Sequence, residues 1–128
     1  GILTTWDDTA RTRVLIEFET SWTWDELESA IEAVDQMIGS VTHQVDVMID
    51  VEGSTLPKDF LSAAKNLLAN PEGRPNEGSR VVIGAGKVIR TAYQTLQKTF
   101  GEKLVGREIV FAEDIPQARS LLYSMRMK

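Results

Sequence analysis

The chain contains no cysteine and only one histidine, His43, among its 128 residues. Without cysteine it cannot form a disulfide, a cysteine-ligated zinc or iron–sulfur site, or a thiol nucleophile. A single histidine disfavours a His-rich metal site, and a Ser-His-Asp triad would have to use His43. That residue lies in a polar turn, where we expect it to be exposed. These absences predict a protein without a resident metal or cofactor.

Long hydrophobic runs are also missing. No apolar segment approaches the roughly 20 residues that a membrane-spanning helix needs. The first residues lack the basic-then-apolar pattern of a secretory signal peptide. The lack of cysteine is compatible with a reducing compartment. Together these features predict a chain without a membrane span, located in the cytoplasm.

Positive charge is scarce in the first part of the chain. The net charge is −5, but residues 1–56 carry twelve acidic residues and two arginines, whereas residues 79–107 carry six basic residues and one acidic residue. An acidic total disfavours nucleic acid as a partner, because binding to phosphates requires a surplus of lysine and arginine. The uneven distribution is explained either by solvated faces of opposite sign or by a field that steers a partner.

Alternating strand and helix patterns fill the chain, which has the length of a single domain over residues 1–128. They predict an α/β fold of order β-β-α-β-α-β-α-β-α, with a mostly parallel five-stranded sheet, an antiparallel N-terminal hairpin strand and four helices. The predicted strands are Ile2–Trp6, Arg13–Glu19, Gln44–Val51, Arg80–Ala85 and Glu108–Ala112. The predicted helices follow Thr23, begin at Pro57 and continue through Leu68, run from Lys87 to Phe100, and follow Asp114. A loop rich in glycine and proline is predicted over Asn70–Gly78.

The first helix has the clearest start signal in the sequence. Thr23 and Glu26 have the spacing of a capping box, in which each side chain bonds to the backbone of the other residue. Trp22 and Leu27 occupy the positions of a hydrophobic staple. Gly39 is the predicted helix end.

The order of elements at this length resembles the STAS domain, the family of the anti-sigma-factor antagonists. Two segments carry the resemblance. Gln44–Asp50 (QVDVMID) is similar to the family's central hydrophobic strand ending in Asp, and Ile109–Ala118 (IVFAEDIPQA) is similar to its closing strand, acidic turn and helix. The resemblance implies a regulatory domain that binds a protein partner, such as a kinase or a sigma-factor system.

The family's phosphorylation motif, Asp-Ser-Ser-Gly at the start of the second helix, is missing here. At that place the sequence is Glu52-Gly-Ser-Thr-Leu56, so the motif's Asp and following Gly are replaced. Hydroxyl groups are nevertheless present on Ser54 and Thr55. They are candidates for regulation or ligand contact, and the alternative is that they only cap the helix. The chain is therefore identified as a divergent, STAS-like member.

A second candidate segment is Gly84-Ala-Gly86-Lys87, which follows a predicted strand and opens a helix. It has the spacing of neither a phosphate-binding P-loop nor a dinucleotide fingerprint. Lys87 and Arg90 stand near a helix N-terminus, where cations oppose the helix dipole. This arrangement indicates either an anion or acidic-partner site, or a tight turn with solvated side chains.

The parallel sheet predicts where these segments meet. Turns after parallel strands emerge at the same edge, so we expect Ser54, Thr55, Gly86, Lys87 and Arg90 to lie near one another. Asp46 and Asp50 are about 13 Å apart along one strand face, which is too far for the paired carboxylates of a glycosidase.

Three classes of function remain open from sequence. The leading prediction is a non-enzymatic regulatory or protein-interaction domain. The alternative is a small-molecule binder or enzyme with a pocket for an anionic or apolar ligand at the carboxyl edge of the sheet. A structural module that forms a homodimer is the third.

Overall fold

The computed structural model describes residues 1–57, 74–104 and 109–127. Five strands and three helices are formed by these residues. The strands are β1 (Ile2–Trp6), β2 (Arg13–Phe18), β3 (Val45–Asp50), β4 (Glu77–Ile83) and β5 (Val110–Ala112). The helices are α1 (Trp24–Gly39), α2 (Lys87–Leu104) and α3 (Ile115–Arg126). Within the described residues, no helix combines the length and apolar character needed to cross a membrane.

The strands form one sheet in sequential order, β1-β2-β3-β4-β5. β1 is antiparallel to β2, and each later strand is parallel to the one before it. The predicted α/β class, with a mostly parallel sheet and an antiparallel N-terminal strand, is confirmed. Beyond Pro57, the helix that was predicted to continue through Leu68 lies outside the described residues.

One face of the sheet, which we call the first face, packs against α1. Its core includes Val14 and Val47 from the strands, with Val34 and Ile38 from the helix. α2 lies on the same face, because the ring of Tyr93 contacts the ring of Phe111 at 5.8 Å between centroids. The residues Ile49, Val82 and Phe111 are register partners on β3, β4 and β5 and so point to the same side.

The opposite face, the second face, packs against α3 alone among the described helices. Its buried cluster joins Met48, Val81 and Ile83 from the strands to Ala118 and Leu122 from α3. Ile115 and Met125 of the same helix are partly buried against this cluster. Both cores draw on β3, whose alternate residues point to the two faces, so β3 is buried over most of its length.

The start and end of β4 differ from the prediction. The strand runs over Glu77–Ile83 instead of Arg80–Ala85, so Glu77 and Gly78, which were predicted as loop, belong to the strand together with Ser79. Tertiary contacts explain the earlier start, because the backbone N–H of Ser79 donates to the buried carboxylate of Asp46 at 2.9 Å. The strand ends before Gly84, whose φ of 70° is incompatible with extended backbone.

The remaining boundaries shift by little. β2 and β3 are one or two residues shorter than predicted, and β5 begins at Val110. α2 continues to Leu104, but its backbone is non-helical at Phe100, the predicted end. This interruption directly precedes Gly101, a residue that favours helix ends.

Candidate functional site at the carboxyl edge of the sheet

The capping box that opens α1 is formed as predicted. The Oγ1 of Thr23 accepts from the backbone N–H of Glu26 at 3.2 Å, and the carboxylate of Glu26 accepts from the N–H of Thr23 at 3.1 Å. That hydrogen bond from Thr23 is the first cause of a lowered pKa for Glu26. The cap fixes the chain that crosses from β2 into α1, at the edge of the sheet where β2, β3, β4 and β5 end. We call this the carboxyl edge.

Trp22 connects this crossing to the candidate hydroxyl of Ser54. The indole Nε1–H donates to Ser54 Oγ at 2.8 Å. The indole also packs edge-to-face between the rings of Phe18 and Trp24, each at 5.1 Å between centroids. The hydrophobic staple between Trp22 and Leu27 stays a prediction. The ring stacking positions an N–H donor beside the loop that follows β3.

Thr55 is held by the same crossing. Its backbone N–H and its Oγ1 both donate to the carbonyl oxygen of Thr20 at 3.1 Å. Ser54 is partly buried and Thr55 is exposed. The loop after β3 therefore contacts the segment that follows β2. The hydroxyl groups of Ser54 and Thr55 each form a hydrogen bond with that segment.

Gly84 brings the ends of β3 and β4 together. The N–H of Val51 donates to the carbonyl of Ile83 at 3.0 Å, so the two strand ends are adjacent. A Cβ built on Gly84 would come within 2.6 Å of the Cβ and 3.0 Å of the Cα of Glu52. Only glycine accommodates this approach together with the positive φ. The sequence predicted a glycine turn here, and the structure shows that Gly84 packs against Glu52.

Arg90, in the first turn of α2, contacts a different part of the carboxyl edge. Arg90 donates through Nε to the carbonyl of Ala85 at 3.2 Å, and its guanidinium carbon lies 4.6 Å from the centroid of the Phe111 ring. Lys87 and Gly86 are exposed, and no acidic residue occupies the first turn of α2. Arg90 thus contacts the β5 side of the edge.

The two candidate segments share the carboxyl edge, with Glu52 lying on Gly84 between them. The contacts of Ser54 and Thr55 are with residues 20–22, whereas those of Arg90 are with Ala85 and Phe111. Convergence of the hydroxyls and the cations on one anion stays a prediction. The edge also carries acidic groups, since Asp50 accepts from the N–H of Glu52 at 3.1 Å, as expected for a turn acceptor.

Two buried carboxylates at the opposite, amino edge of the sheet were missed by the sequence analysis. The side chain of Asp46 is 1% exposed and accepts from Nε of Arg126 at 2.7 Å. That of Asp7 is 4% exposed and accepts from both Arg13 at 2.9 Å and Arg119 at 2.7 Å. The one available signal was Asp46 on the same strand face as Met48, where a carboxylate requires a partner.

The pairs formed by Arg119 and Arg126 attach α3 to this edge of the sheet. Arg119 binds both oxygens of Asp7, and its hydrogen bond is the first cause of a lowered pKa for that carboxyl group. Every polar atom of the Asp46 carboxylate is bonded, with Gln44 and Ser79 as the further donors. Because each donor and acceptor has its partner, these clusters are explained by structure alone.

The described residues contain no group of three or more His, Asp or Glu side chains placed to hold a metal ion. His43 is exposed, as expected, and its Nε2 lies 2.9 Å from the carbonyl oxygen of Arg11. Comparison of the chain with protein-family models, with curated proteins and with solved structures found no match in any of the three.

Proposed function

We propose that the chain is a non-enzymatic regulatory domain of the STAS-like type, which acts by binding a protein partner at the carboxyl edge of its sheet. The sequential strand order and the closing helix α3 support the resemblance on which this proposal rests. A cytoplasmic setting and a kinase or sigma-factor partner belong to the same proposal and come from the resemblance alone.

The proposal depends on the exposed side chains at the start of α2. Val88 is 72% exposed, the largest exposed fraction among the large apolar side chains of the described residues, and it stands between exposed Lys87 and Arg90. An apolar anchor within a charged rim is the composition of a protein–protein interface. Because Lys87 and Arg90 are basic and this helix turn lacks acidic residues, the complementary surface on the partner is acidic.

The loop after β3 is the regulatory element of the proposal. Phosphorylation of Ser54 would add about −1.5 to −2 of charge to the loop that also carries Asp50 and Glu52, and a phosphate ester would replace the hydroxyl that accepts from Trp22. The added charge would repel an acidic partner and so release it. Tryptophan fluorescence provides a direct signal for this change.

The test begins by crosslinking the tagged protein to its partner in cells and then reconstituting the purified pair. We expect Lys87→Glu with Arg90→Glu to weaken binding at least about tenfold, since opposite charges become like charges. Lys98→Glu, an exposed charge reversal farther along α2, is the matched control and should bind like the wild type. Equal binding by the double variant would refute the proposed surface. Stabilisation by a small metabolite, with turnover, would instead support the ligand-binding alternative.

A further inference from the structure

β1 has an open side. Among residues 1–57, 74–104 and 109–127, only β2 pairs with it. The N–H of Asp7 donates to the carbonyl of Arg13, and the N–H of Glu19 donates to that of Gly1. Antiparallel pairs alternate between bonded and non-bonded positions, so the odd-numbered residues of β1 bond to β2. The N–H and C=O groups of Ile2, Thr4 and Trp6 therefore point outward.

This edge lacks the usual protection against pairing. Exposed edges are normally blocked by a charge, a proline, a bulge or a very short strand. The sequence of β1, Ile-Leu-Thr-Thr-Trp, contains neither charge nor proline, and its pairing with β2 has no register shift. Leu3 lies on the second face of the sheet, where its side chain is 57% exposed. By contrast, the strand at the other end of the sheet, β5, has three residues.

A groove runs beside the open edge, between β1 and α1. It has a volume of about 350 Å³ and is lined by Ile2, Thr4, Asp25, Glu26, Ser29, Ala30 and Ala33. The small side chains of α1 leave room for the residues of an added strand. Since Ile2 and Thr4 point toward α1, alternate side chains of such a strand would enter the groove.

The groove is negatively charged, which favours a positively charged ligand. α1 contains no lysine or arginine, and both charged residues of the groove lining are carboxylates. Glu26 is engaged in the capping box and with the N-terminal amine, whereas Asp25 is exposed. Two copies paired through β1 about a twofold axis would place their acidic α1 walls side by side, which disfavours self-pairing. A basic strand is complementary.

We propose that the open edge of β1 binds an extended segment of a partner protein, which adds a strand to the sheet and places lysine or arginine side chains at alternate positions beside Asp25. The main-chain groups of Ile2, Thr4 and Trp6 supply the pairing, and the groove supplies the preference for basic side chains. This strand edge is separate from the surface proposed at the start of α2.

The probe is a fluorescein-labelled seven-residue peptide of alternating lysine and valine, and its counterpart has glutamate in place of lysine. We expect the lysine peptide to bind, and the glutamate peptide to bind at least about tenfold more weakly. Bound peptide should slow hydrogen exchange at the amides of Ile2, Thr4 and Trp6. Equal binding of the two peptides would overturn the charge argument. Amides that are already protected in the free chain would overturn the open edge.

Thr4→Pro removes the central outward N–H, at an edge position where proline is tolerated, and we expect it to weaken binding about tenfold or more. Thr4→Val retains the N–H and should bind within about twofold of the wild type. If Thr4→Pro fails to fold, Asp25→Asn tests the same site and should weaken binding about threefold. Glu28→Gln, on the same helix but outside the groove lining, is its control. A wild-type dimer in sedimentation that Thr4→Pro abolishes would refute the peptide partner in favour of a second copy.

Discussion

At the scale of single residues, two glycines with positive φ provide a matched comparison. Gly53 has φ of 74° and Gly84 has φ of 70°, but a Cβ on Gly53 would meet nothing within 4 Å, whereas one on Gly84 would meet the backbone of Glu52. Both positions carry the same conformational strain in any other residue. Only at Gly84 does a steric cost add to it.

We therefore expect Gly53→Ala to cost about 1 kcal/mol, the strain of a left-handed alanine. Gly84→Ala should cost about 3 kcal/mol, because overpacking adds to the strain. Urea denaturation of both variants measures the difference. Equal costs would mean that the contact between Gly84 and Glu52 is not tight in solution.

At the scale of elements, the N-terminal cap of α1 is the strongest local determinant. Thr23→Ala removes the side-chain acceptor for the N–H of Glu26 and should lower the free energy of unfolding by about 1 kcal/mol. Thr42→Ala, at an exposed position outside the strands and helices, should change it by less than about 0.5 kcal/mol. Thermal or urea denaturation distinguishes them. A loss at Thr23 no larger than that at Thr42 would show that the cap contributes little.

Local signals explain which elements could be predicted. The capping box at Thr23 and the N-cap at Asp114 depend on residues three positions apart, so the sequence contains the whole motif. The start of β4 depends instead on Asp46, which lies 33 residues away from its partner Ser79. Proline and glycine in the preceding segment indicated a loop, and the tertiary hydrogen bond overrode that preference.

For the candidate site too, one part could be predicted from the sequence and another could not. Its position at the carboxyl edge follows from the parallel order of the strands, which was predictable. The contact of Trp22 with Ser54 joins residues 32 positions apart, and the packing of Arg90 on Phe111 depends on β5 lying beside β4. Side-chain directions of this kind are set by packing and leave no periodic signal in the sequence.

At the scale of the whole molecule, the ion pair between Asp7 and Arg119 joins residues 112 positions apart. Arg119 and then Arg13 hold the pKa of Asp7 below its ordinary value of 3.8. A carboxyl group with a lowered folded pKa stabilises the fold above its unfolded pKa. That stabilisation is lost as the pH falls through the lower, folded pKa.

We therefore expect the free energy of unfolding to fall with pH below about pH 4, and Asp7→Asn to flatten this dependence while lowering stability at pH 7. Arg119→Met should flatten it too, because it removes the main cause of the lowered pKa. Urea denaturation between pH 7 and the acid limit of solubility provides the measurement. An unchanged slope in both variants would assign the acid sensitivity to other groups.

The attachment of α3 has a consequence for synthesis on the ribosome. β2, β3 and β4 emerge long before α3, the described helix that covers the second face of the sheet. Until it arrives, Met48, Val81 and Ile83 face solvent on that side, and Asp46 has no guanidinium to neutralise it. We expect the emerging chain to remain a substrate for chaperones until α3 has left the exit tunnel, so that stable folding of this domain waits for α3.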